Sequence, residues 1–460
     1  MNAQQQHDKS IIVGLGTTGL SVARYLAAQQ QDFAVVDSRE APPNADDLKR
    51  DFADVDCHFG SFNSDWLDHA GQLVVNPGIA VATPELQQAR QAGVEIIGDI
   101  ELFARELGDS KPVVAITGSN GKTTVTTLLD LMAKKSGIKV ATGGNIGTPA
   151  LDLLGDDVAL YVLELSSFQL ETTHSLHTLA AVVLNVSEDH LDRYDYDLEQ
   201  YALSKAEIYK HCQHVICNRD DVWSMRLADD ASGYQSKITF GLDKPEAGHF
   251  GIDEKDAVQW LVKGDQFLMP CGEVKLPGKH NLSNALAALA LGHAAGLEMS
   301  AMLDVLREYT GMEHRTQWVR ELDGVNWYND SKGTNVGATI AALSGLSGKT
   351  VLIAGGQGKG ADFFPLKQVV RDHARAVILM GEDAQKICDV LDDTAPVFFV
   401  KSMSEAVSLS AQQAKPGDNV LLSPACASFD MFKNYLQRGQ FFMDLVLKLS
   451  PQGNAEGNHV

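Results

Sequence analysis

The stretch that decides the fold is Ala115-Ile116-Thr117-Gly118-Ser119-Asn120-Gly121-Lys122-Thr123-Thr124. Apolar residues at 112–116 predict a short buried strand, and the glycines allow a turn tight enough for consecutive backbone N–H groups to face a phosphate. A helix is predicted from Lys122, so its positive end points at the same anion. Lys122 adds a mobile positive charge, and the Thr123 hydroxyl can bind Mg²⁺. The stretch therefore predicts an ATP site made of Gly118, Ser119, Asn120, Gly121, Lys122, Thr123 and Thr124.

The loop departs from the general phosphate-loop pattern at one place. That pattern has glycine five residues before the Gly-Lys pair, where this chain has Ile116, and the glycine is shifted to Gly118. The alternative interpretation is a structural glycine turn that happens to carry Lys-Thr. The order of strand, glycines, Gly-Lys-Thr and helix favours the phosphate site.

Size and composition narrow the class of protein. A chain of 460 residues suggests roughly three domains. A net charge of −22 argues against a nucleic-acid surface. The six cysteines form no Cys-x-x-Cys pair, which indicates reduced thiols. The polar first ten residues lack a signal-peptide core, and no apolar run approaches a membrane span. We expect a soluble cytoplasmic monomer that binds neither nucleic acid nor membrane, with disordered ends before Ser10 and after Pro451.

A second glycine motif stands near the beginning of the chain. Gly14-Leu15-Gly16-Thr17-Thr18-Gly19 lies between a predicted strand and helix, and the next strand ends at Asp37. This is the dinucleotide fingerprint, which alone favours an NAD-dependent dehydrogenase over a nucleotide-sugar site or a structural turn. The fold does not determine the ligand. Asn76 follows a third strand at a Pro-Gly turn, where it either faces the ligand crevice or serves turn chemistry.

Alternating strands and helices predict an α/β protein of three domains. We place the boundaries at 1–100 for a Rossmann-like domain, 101–311 for a P-loop ATPase-like parallel sheet, and 312–460 for a second Rossmann-like domain. Short segments with period-two character at 238–276 predict a small antiparallel insertion in the central domain. An amphipathic helix is predicted at 429–449.

Two segments of the central domain carry candidate metal ligands. Glu164 ends a predicted strand, where open α/β sheets place their ligands, so it is the best Mg²⁺ candidate, with a surface carboxylate as the alternative. The next strand ends in Asn185-Val186-Ser187-Glu188-Asp189-His190. Glu188 and Asp189 are predicted helix caps. His190 either ligates a metal or is a satisfied structural histidine.

Six motifs in this order resemble the Mur ligases, which make the peptide of bacterial cell wall by ATP-driven amide synthesis. They are residues 117–124, 164–170, 185–190, 280–285, 313–315 and 329–335. The resemblance spans nearly the whole chain. It implies that ATP phosphorylates a carboxylate and that an amine attacks the resulting acyl phosphate. It also implies two Mg²⁺ ions, because two anions must meet in the first step.

The resemblance assigns roles in catalysis to four residues. Lys122 would cancel phosphate charge, Thr123 and Glu164 would hold one Mg²⁺, and His190 the other. A carbamylated lysine is also implied, and by position it is Lys205, whose carbamate would be an anionic oxygen ligand. From the sequence alone Lys205 is a helix-surface lysine.

The resemblance also implies where ATP is held between domains. The residues concerned are Asn281, Asn284, Arg315, Asp330 and Lys332. Amides can read a purine edge, a guanidinium can hold the γ-phosphate, and a carboxylate can accept from ribose hydroxyls. The alternatives are a helix cap for Asn281 and solvated charges for Arg315 and Lys332.

Residues 355–363 and 422–430, with the leading glycine motif, resemble the family member that adds D-glutamate. The resemblance implies subsites for UDP-N-acetylmuramoyl-L-alanine and D-glutamate. For the UDP-sugar these are Leu15, Gly16, Thr17, Thr18, Asp37, Ser38, Arg39, Asn76, Gly78, Asn145 and Ser166. For D-glutamate they are Thr334, Lys359, Ser428, the Phe429 backbone and Tyr435, which stands where the family member that adds D-glutamate has phenylalanine. The remaining alternatives are a folylpolyglutamate synthase relative and an NAD-dependent dehydrogenase with an appended ATPase.

Overall fold

A computed structural model describes residues 9–276 and 278–450 of the chain. The predicted disordered ends lie outside the described residues. Within them the strands form three sheets of five, nine and six strands, each mostly parallel and connected by helices. The predicted α/β class with three such units is confirmed. None of the described helices combines the length and the apolar character that crossing a bilayer would require.

The first sheet has the strand order β3-β2-β1-β4-β5, and all its neighbouring strands are parallel. Its strands are β1 Ser10–Val13, β2 Phe33–Asp37, β3 Cys57–Phe59, β4 Gln72–Val75 and β5 Glu95–Ile97. Its helices are α1 Thr17–Ala28, α2 Ala45–Asp51, α3 Ser64–Asp68 and α4 Pro84–Gln91. The strand order reverses between β1 and β4, so a crevice for a ligand opens at their carboxyl ends.

The glycine motif after β1 forms a tight turn against Asn76. Gly14 has a φ of 95°, a conformation that favours glycine. The Asn76 side-chain amide donates to the Gly14 carbonyl oxygen. A Cβ on Gly19 would overlap that carbonyl oxygen and lie 2.6 Å from Asn76 Nδ2. The first turn of α1 therefore needs glycine at 19 to pack onto the loop.

We expect Gly19→Ala to lower the free energy of unfolding by about 2–3 kcal/mol, because the added methyl group must push a backbone carbonyl aside. Urea denaturation followed by far-ultraviolet circular dichroism measures the change. Gly272→Ala is the control, since no atom lies within 4 Å of a Cβ placed there. Equal stability of Gly19→Ala and the native protein would show that the turn tolerates the shift.

Helix α5, Asp99–Leu107, leads to the second sheet, whose order is β14-β13-β12-β11-β10-β9-β6-β8-β7. Its strands are β6 Val113–Thr117, β7 Val140–Gly144, β8 Leu160–Glu164, β9 Thr178–Val183, β10 Cys212–Asn218, β11 Ser236–Phe240, β12 Phe250–Lys255, β13 Val258–Lys263 and β14 Gln266–Pro270. Its helices are α6 Lys122–Lys135, α7 Ser167–Leu170, α8 Leu198–Ala206, α9 Val222–Asp230, α10 Lys279–Ala294 and α11 Met299–Glu308. Short 3₁₀ turns occupy Ala150–Leu153, Leu191–Arg193, Glu207–Tyr209 and Cys271–Glu273.

The predicted antiparallel segment is the run β12 to β14, which continues the edge of this sheet. β12 pairs antiparallel with β13, and β13 pairs antiparallel with β14. The predicted start at residue 238 lies inside β11, which pairs in parallel with β10. β6 lies between β9 and β8, so the phosphate-loop strand is central and its residues are buried.

The third sheet has the order β15-β16-β20-β17-β18-β19, with β15 antiparallel to β16 and the other pairs parallel. Its strands are β15 Gln317–Leu322, β16 Val325–Asn329, β17 Thr350–Ala354, β18 Ala374–Leu379, β19 Val397–Phe399 and β20 Asn419–Leu422. Its helices are α12 Val336–Gly345, α13 Leu366–His373, α14 Ala384–Val390, α15 Met403–Gln413 and α16 Tyr435–Lys448.

The prediction that the last helix begins at 429 is wrong. α16 begins at Tyr435, after Asn434, whose side chain accepts a hydrogen bond from the Gln437 backbone N–H at 2.9 Å. The Met431 N–H donates to the Ser428 carbonyl, so residues 428–431 form a turn. A side-chain cap therefore sets the start of the helix, which an apolar pattern alone does not reveal.

Candidate functional site

The phosphate loop joins β6 to α6 and is held from the neighbouring strand end. Gly118 and Gly121 have φ values of 147° and 85°, which open the loop in the way that glycine permits. The Asn120 backbone N–H donates to Asn185 Oδ1 at 2.8 Å, and the Ser119 N–H donates to the Asn185 carbonyl at 2.9 Å. A Cβ on Gly121 would overlap Asn284 Oδ1. The loop is thus preformed beside α10.

Two lysines meet at the Gly118 carbonyl oxygen. Lys122 Nζ donates to it at 2.6 Å and to the Ser119 carbonyl at 3.0 Å. Lys205 Nζ donates to the same oxygen at 3.3 Å and lies 4.3 Å from the centre of the Tyr201 ring. Burial lowers the pKa of both ammonium groups, that of Lys205 by far the more.

The interpretation of Lys205 as a helix-surface lysine is wrong, because only 1% of the residue is exposed. Its helix, α8, packs against α7 and α9 and turns this face inward. Burial that lowers the pKa of an amine favours its neutral form, which is the form that adds to CO₂. The position matches the chemistry that carbamate formation requires.

Glu164 is also buried, at 1% exposure, so the surface-carboxylate interpretation is wrong. It ends β8 next to β6, with Ile116 opposite it in the pairing register. Asn145 Nδ2 donates to Glu164 Oε1 at 2.9 Å, whereas Glu164 Oε2 is buried and has no hydrogen-bond partner. An unpartnered buried carboxylate oxygen beside a phosphate loop is suited to bind a cation.

Asp189 and His190 lie between the phosphate loop and the third sheet. His190 Nε2 is 3.6 Å from Asp189 Oδ1, and the imidazole packs edge-on against Phe168 at 5.2 Å between ring centres. Burial lowers the pKa of His190, which favours the neutral form that ligates metals. The predicted capping role of Glu188 and Asp189 is wrong, because a 3₁₀ turn follows at Leu191–Arg193 and neither side chain caps it.

A cavity of about 300 Å³ lies between the second and third sheets. It is lined by the predicted ATP residues Asn120, Gly121, Thr124, Asn281, Asn284, Arg315, Asp330 and Lys332. Asn281 is inside α10, which follows Gly278 as its N-cap, so the helix-cap interpretation is wrong. Asn284 Nδ2 donates to Asn281 Oδ1 at 3.2 Å, which joins the two amides in one wall of the cavity.

Three of the charged residues that line this cavity, Arg315, Asp330 and Lys332, come from the third part of the chain. The Arg315 guanidinium donates to Thr123 Oγ1 at 2.7 Å, across the gap between the second and third sheets. Lys332 Nζ lies 4.1 Å from the centre of the Tyr435 ring, and burial lowers its pKa to about 8. The interpretation of these two residues as solvated charges is therefore wrong.

Asp330 is a buried carboxylate at the floor of the cavity. Its Oδ2 accepts from Ser423 Oγ at 2.7 Å, and its Oδ1 accepts from the Thr316 N–H at 3.0 Å. Burial nevertheless raises the pKa of Asp330 to about 6. A ribose hydroxyl would supply a further donor to this carboxylate.

Two of the predicted UDP-sugar residues of the first sheet, Leu15 and Arg39, bond to a third, Asp37. Asp37 accepts from the Leu15 N–H at 2.7 Å and forms a two-point ion pair with Arg39. Burial alone would raise the pKa of Asp37, but these hydrogen bonds outweigh it and hold the pKa below its usual value. Gly16, Thr17 and Thr18 are partly or fully accessible at the start of α1, and Ser38 is exposed beside Arg39.

Three other predicted UDP-sugar residues lie at or near the junction with the central sheet. Gly78 follows Asn76 in the turn after β4, and no atom lies within 4 Å of a Cβ placed on it. Ser166 caps α7 through a reciprocal pair with Gln169. Asn145 is exposed and bonded to Glu164, as described above.

The predicted D-glutamate residues are brought together only in part. Thr334 and Lys359 share a small cleft with Asp189 and His190. Ser428 is buried at 3% exposure outside the lining of that cleft, and the Phe429 ring is 65% exposed. Tyr435 lies under Lys332 instead.

Three family models match successive parts of the chain. They are described as the Mur ligase MurD-like N-terminal domain at residues 8–98, the Mur ligase middle domain at 116–292, and the Mur ligase glutamate ligase domain at 314–426. The chain belongs to the Mur ligase family.

Bacterial relatives of this Mur ligase are similar over nearly their whole length. A UDP-N-acetylmuramoylalanine–D-glutamate ligase of Pseudomonas putida is 53% identical over 94% of this chain and 96% of the relative. The enzyme of the same name from Marinobacter nauticus is 51% identical over 95% of this chain and 98% of the relative. Among solved structures, Thermotoga maritima MurF ligase in complex with ADP has a TM-score of 0.60 at 18% identity and covers 97% of this chain and 96% of its own. That likeness concerns the fold.

Mur ligases use ATP and Mg²⁺, and the residues of this Mur ligase fit the metal. Glu164 offers a buried carboxylate oxygen without a partner, as a Mg²⁺ ligand site requires. The Thr123 hydroxyl is close enough to the cavity to be bonded by Arg315. A carboxylate and a hydroxyl both offer the hard oxygen atoms that Mg²⁺ prefers.

Sequence reasoning missed three residues that organise the site of this ligase. Asn185 holds the phosphate loop, as described above. The Arg193 guanidinium donates to the Pro77 and Ile79 carbonyls at 2.7 and 2.9 Å and lies over the Phe168 ring at 3.9 Å, which ties the first sheet to the second. Asn335 bridges the second and third sheets. Asn185 and Asn335 stand in motifs noted from the sequence, but only their long-range contacts reveal these roles.

We expect Asp330→Asn to raise the free energy of unfolding of the ligand-free ligase above pH 6, by up to about 3 kcal/mol at pH 8. The reason is the raised pKa of about 6: the folded state binds a proton more tightly than the unfolded state, so wild-type stability falls as pH rises through 6. The gain should vanish below pH 4, where both states are protonated.

Urea denaturation at pH 4, 6 and 8 measures this difference. Asp418→Asn is the matched control with the opposite sign, because the Arg375 ion pair and the Lys415 N–H hold the pKa of Asp418 low against the effect of burial. It should therefore lower stability at pH 8. A loss of stability in Asp330→Asn at pH 8 would contradict the expectation.

Proposed function

We propose that this chain joins D-glutamate to UDP-N-acetylmuramoyl-L-alanine, with ATP cleaved to ADP and phosphate, in peptidoglycan precursor synthesis. The observation that carries the proposal is the similarity over more than nine-tenths of the chain to relatives that bear the name of this activity, at 51–53% identity. The phosphate loop, the lysine pair and the buried glutamate supply groups that the reaction needs. Cytoplasmic location and a monomeric state stay predictions from the sequence.

In this proposal each of the three predicted domains binds a different substrate. Residues 1–100 bind the UDP-sugar through the turn after β1 and through Asp37, Ser38 and Arg39. Residues 101–311 bind the phosphates of ATP. Residues 312–460 supply the D-glutamate subsite through Thr334 and Lys359. The roles of Ser428, the Phe429 backbone and Tyr435 in it stay predictions from the sequence.

The first chemical step transfers the γ-phosphoryl group of ATP to the alanyl carboxylate. Lys122 releases the two loop carbonyls to which it donates and donates to phosphate oxygens instead. Arg315 holds the γ-phosphate from the other side. Thr123 and Glu164 would hold one Mg²⁺ ion, and His190 and carbamylated Lys205 would hold a second. When bound, the ions would supply positive charge that reduces repulsion between the two anions.

The second step is attack by the amine of D-glutamate on the acyl phosphate. Lys359 pairs with a carboxylate of D-glutamate, and Thr334 donates to it, so that the amine faces the small cleft beside His190. Phosphate leaves as the C–N bond forms, and it takes up the proton that the amine gives up.

The test is incubation of the purified protein with ATP, Mg²⁺, UDP-N-acetylmuramoyl-L-alanine and either D- or L-glutamate. Phosphate release and the ligated product should require the D-isomer. Phosphate release that does not depend on D-glutamate would overturn the proposal. Formation of NADH on addition of NAD⁺ would point to a dehydrogenase instead.

A further inference from the structure

The side chain of Asn335 spans the gap between the second and third sheets. Its Oδ1 accepts from the Ala338 N–H at 2.8 Å and so caps α12. Its Nδ2 donates to Asn120 Oδ1 and to Asp189 Oδ2, both at 3.2 Å. The residue is 8% exposed, and each polar atom of its side chain is thus engaged. One amide therefore connects a third-sheet helix to the phosphate loop and to the segment that carries His190.

The first turn of α12 packs closely against the phosphate loop and the segment that precedes His190. A Cβ on Gly337 would lie 2.8 Å from Ser187 Oγ and 3.1 Å from Asn120 Nδ2, so a side chain there would force the surfaces apart. Asn120 Nδ2 donates to Ser187 Oγ at 3.2 Å, which keeps the side-chain Oδ1 of Asn120 turned toward Asn335. The start of α12 thus fits onto the phosphate loop.

A second contact lies on the far side of the small cleft. A Cβ on Gly360 would be 3.2 Å from Cε1 of Tyr196, which projects from the loop after His190. Lys359 and Thr334 line the cleft between these two contacts. The residues proposed to bind D-glutamate are therefore framed by the places where the third part of the chain touches the second.

We propose that Asn335 is a positioning residue that fixes the D-glutamate subsite against the phosphate loop. The inference rests on the proposed function for the identity of the amine. Thr334 immediately precedes Asn335, so the bridge sets the distance between the incoming amine and the acyl phosphate. The ATP-binding cavity has a separate contact between the second and third sheets, in which Arg315 donates to Thr123. Loss of the Asn335 bridge should therefore affect D-glutamate more than ATP.

The test variant is Asn335→Asp in the full-length enzyme. An aspartate keeps the cap on α12, since its oxygen accepts from the Ala338 N–H equally well. It removes both donors and places a carboxylate against the carboxylate of Asp189. Asn63→Asp is the matched control: Asn63 caps α3 in the first sheet by accepting from the Trp66 N–H at 3.4 Å and makes no contact with the cavity.

We expect kcat/KM for D-glutamate to fall about 100-fold in Asn335→Asp, because misplacement by about 1 Å costs that much. The KM for D-glutamate should rise at least tenfold more than the KM for ATP, a split that a general loss of folding would not produce. Asn63→Asp should behave as the wild type. Equal changes in the two KM values, or no change, would overturn the proposal.

Small-angle X-ray scattering with ADP and Mg²⁺ gives a readout that does not depend on turnover. The wild type and Asn63→Asp should become more compact on ligand addition, and Asn335→Asp should become compact only in part, because the Arg315–Thr123 link still forms while the Asn335 bridge does not. Identical scattering profiles for all three proteins would contradict the proposed role of the Asn335 bridge. If Asn335→Asp fails to fold, Asn335→Ser replaces it, because the serine hydroxyl caps α12 without reaching Asn120 or Asp189. A wild type that shows no D-glutamate-dependent phosphate release would refute the proposed function, while scattering would still decide the role of Asn335.

Discussion

Lys205→Ala is expected to lower kcat by about 10³-fold or more, since it removes an anionic oxygen ligand from the site where phosphate charge must be offset. The side chain is 1% exposed, donates to the Gly118 carbonyl, and has a pKa well below the usual value because of burial. These conditions favour the neutral amine that adds to CO₂. The carbamate would then carry its negative charge close to the phosphate loop.

Acetate added to Lys205→Ala should raise activity on the order of tenfold, because a small carboxylate supplies the missing oxygen ligand. Lys205→Arg is the control, since a guanidinium keeps a positive charge and cannot form a carbamate. Carbon-13 NMR of wild-type protein in ¹³C-bicarbonate should show a carbamate signal that both variants lack. Full activity in Lys205→Ala, or an unchanged ¹³C spectrum, would exclude a functional carbamate at this residue.

Glu164→Gln is expected to lower kcat on the order of 10³-fold at fixed Mg²⁺ and to raise the Mg²⁺ concentration needed for half-maximal activity. The amide can still accept from Asn145, but the unpartnered Oε2 becomes an NH₂ group, which cannot ligate a cation. Because the wild-type oxygen is buried without a partner, the substitution should leave the free energy of unfolding unchanged or raise it.

Glu101→Gln is the matched control for this prediction. Glu101 is 2% exposed, close to the 1% of Glu164, but it accepts from the His174 and Ser175 N–H groups, the Ser175 hydroxyl and Arg105. Its substitution should lower stability and leave the Mg²⁺ dependence unchanged. Titration of activity with Mg²⁺ and urea denaturation of both variants separate the two roles. The same Mg²⁺ dependence in Glu164→Gln and the wild type would remove Glu164 from the metal site.

Much of the predicted site follows from residues that are close together in the sequence. The glycines, Lys122 and Thr123 are contiguous, and a strand followed by a helix places them at the carboxyl end of a sheet in almost any α/β protein. Glu164 could be predicted for the same reason, because it ends a neighbouring strand. The misplaced start of α16 arose where a side-chain cap, rather than apolar periodicity, decides the boundary.

The amino-acid sequence by itself determined the α/β class, the phosphate loop and the family, because glycine turns, strand ends and the motifs themselves are short-range features. Only the tertiary structure decided which charges are buried and which partners meet across sheets. Lys205 is 87 residues from Gly118 in the chain, and Asn335 is 215 residues from Asn120. Burial and long-range hydrogen bonds depend on how three sheets pack together. These contacts convert a surface-like lysine and an ordinary helix cap into parts of one site.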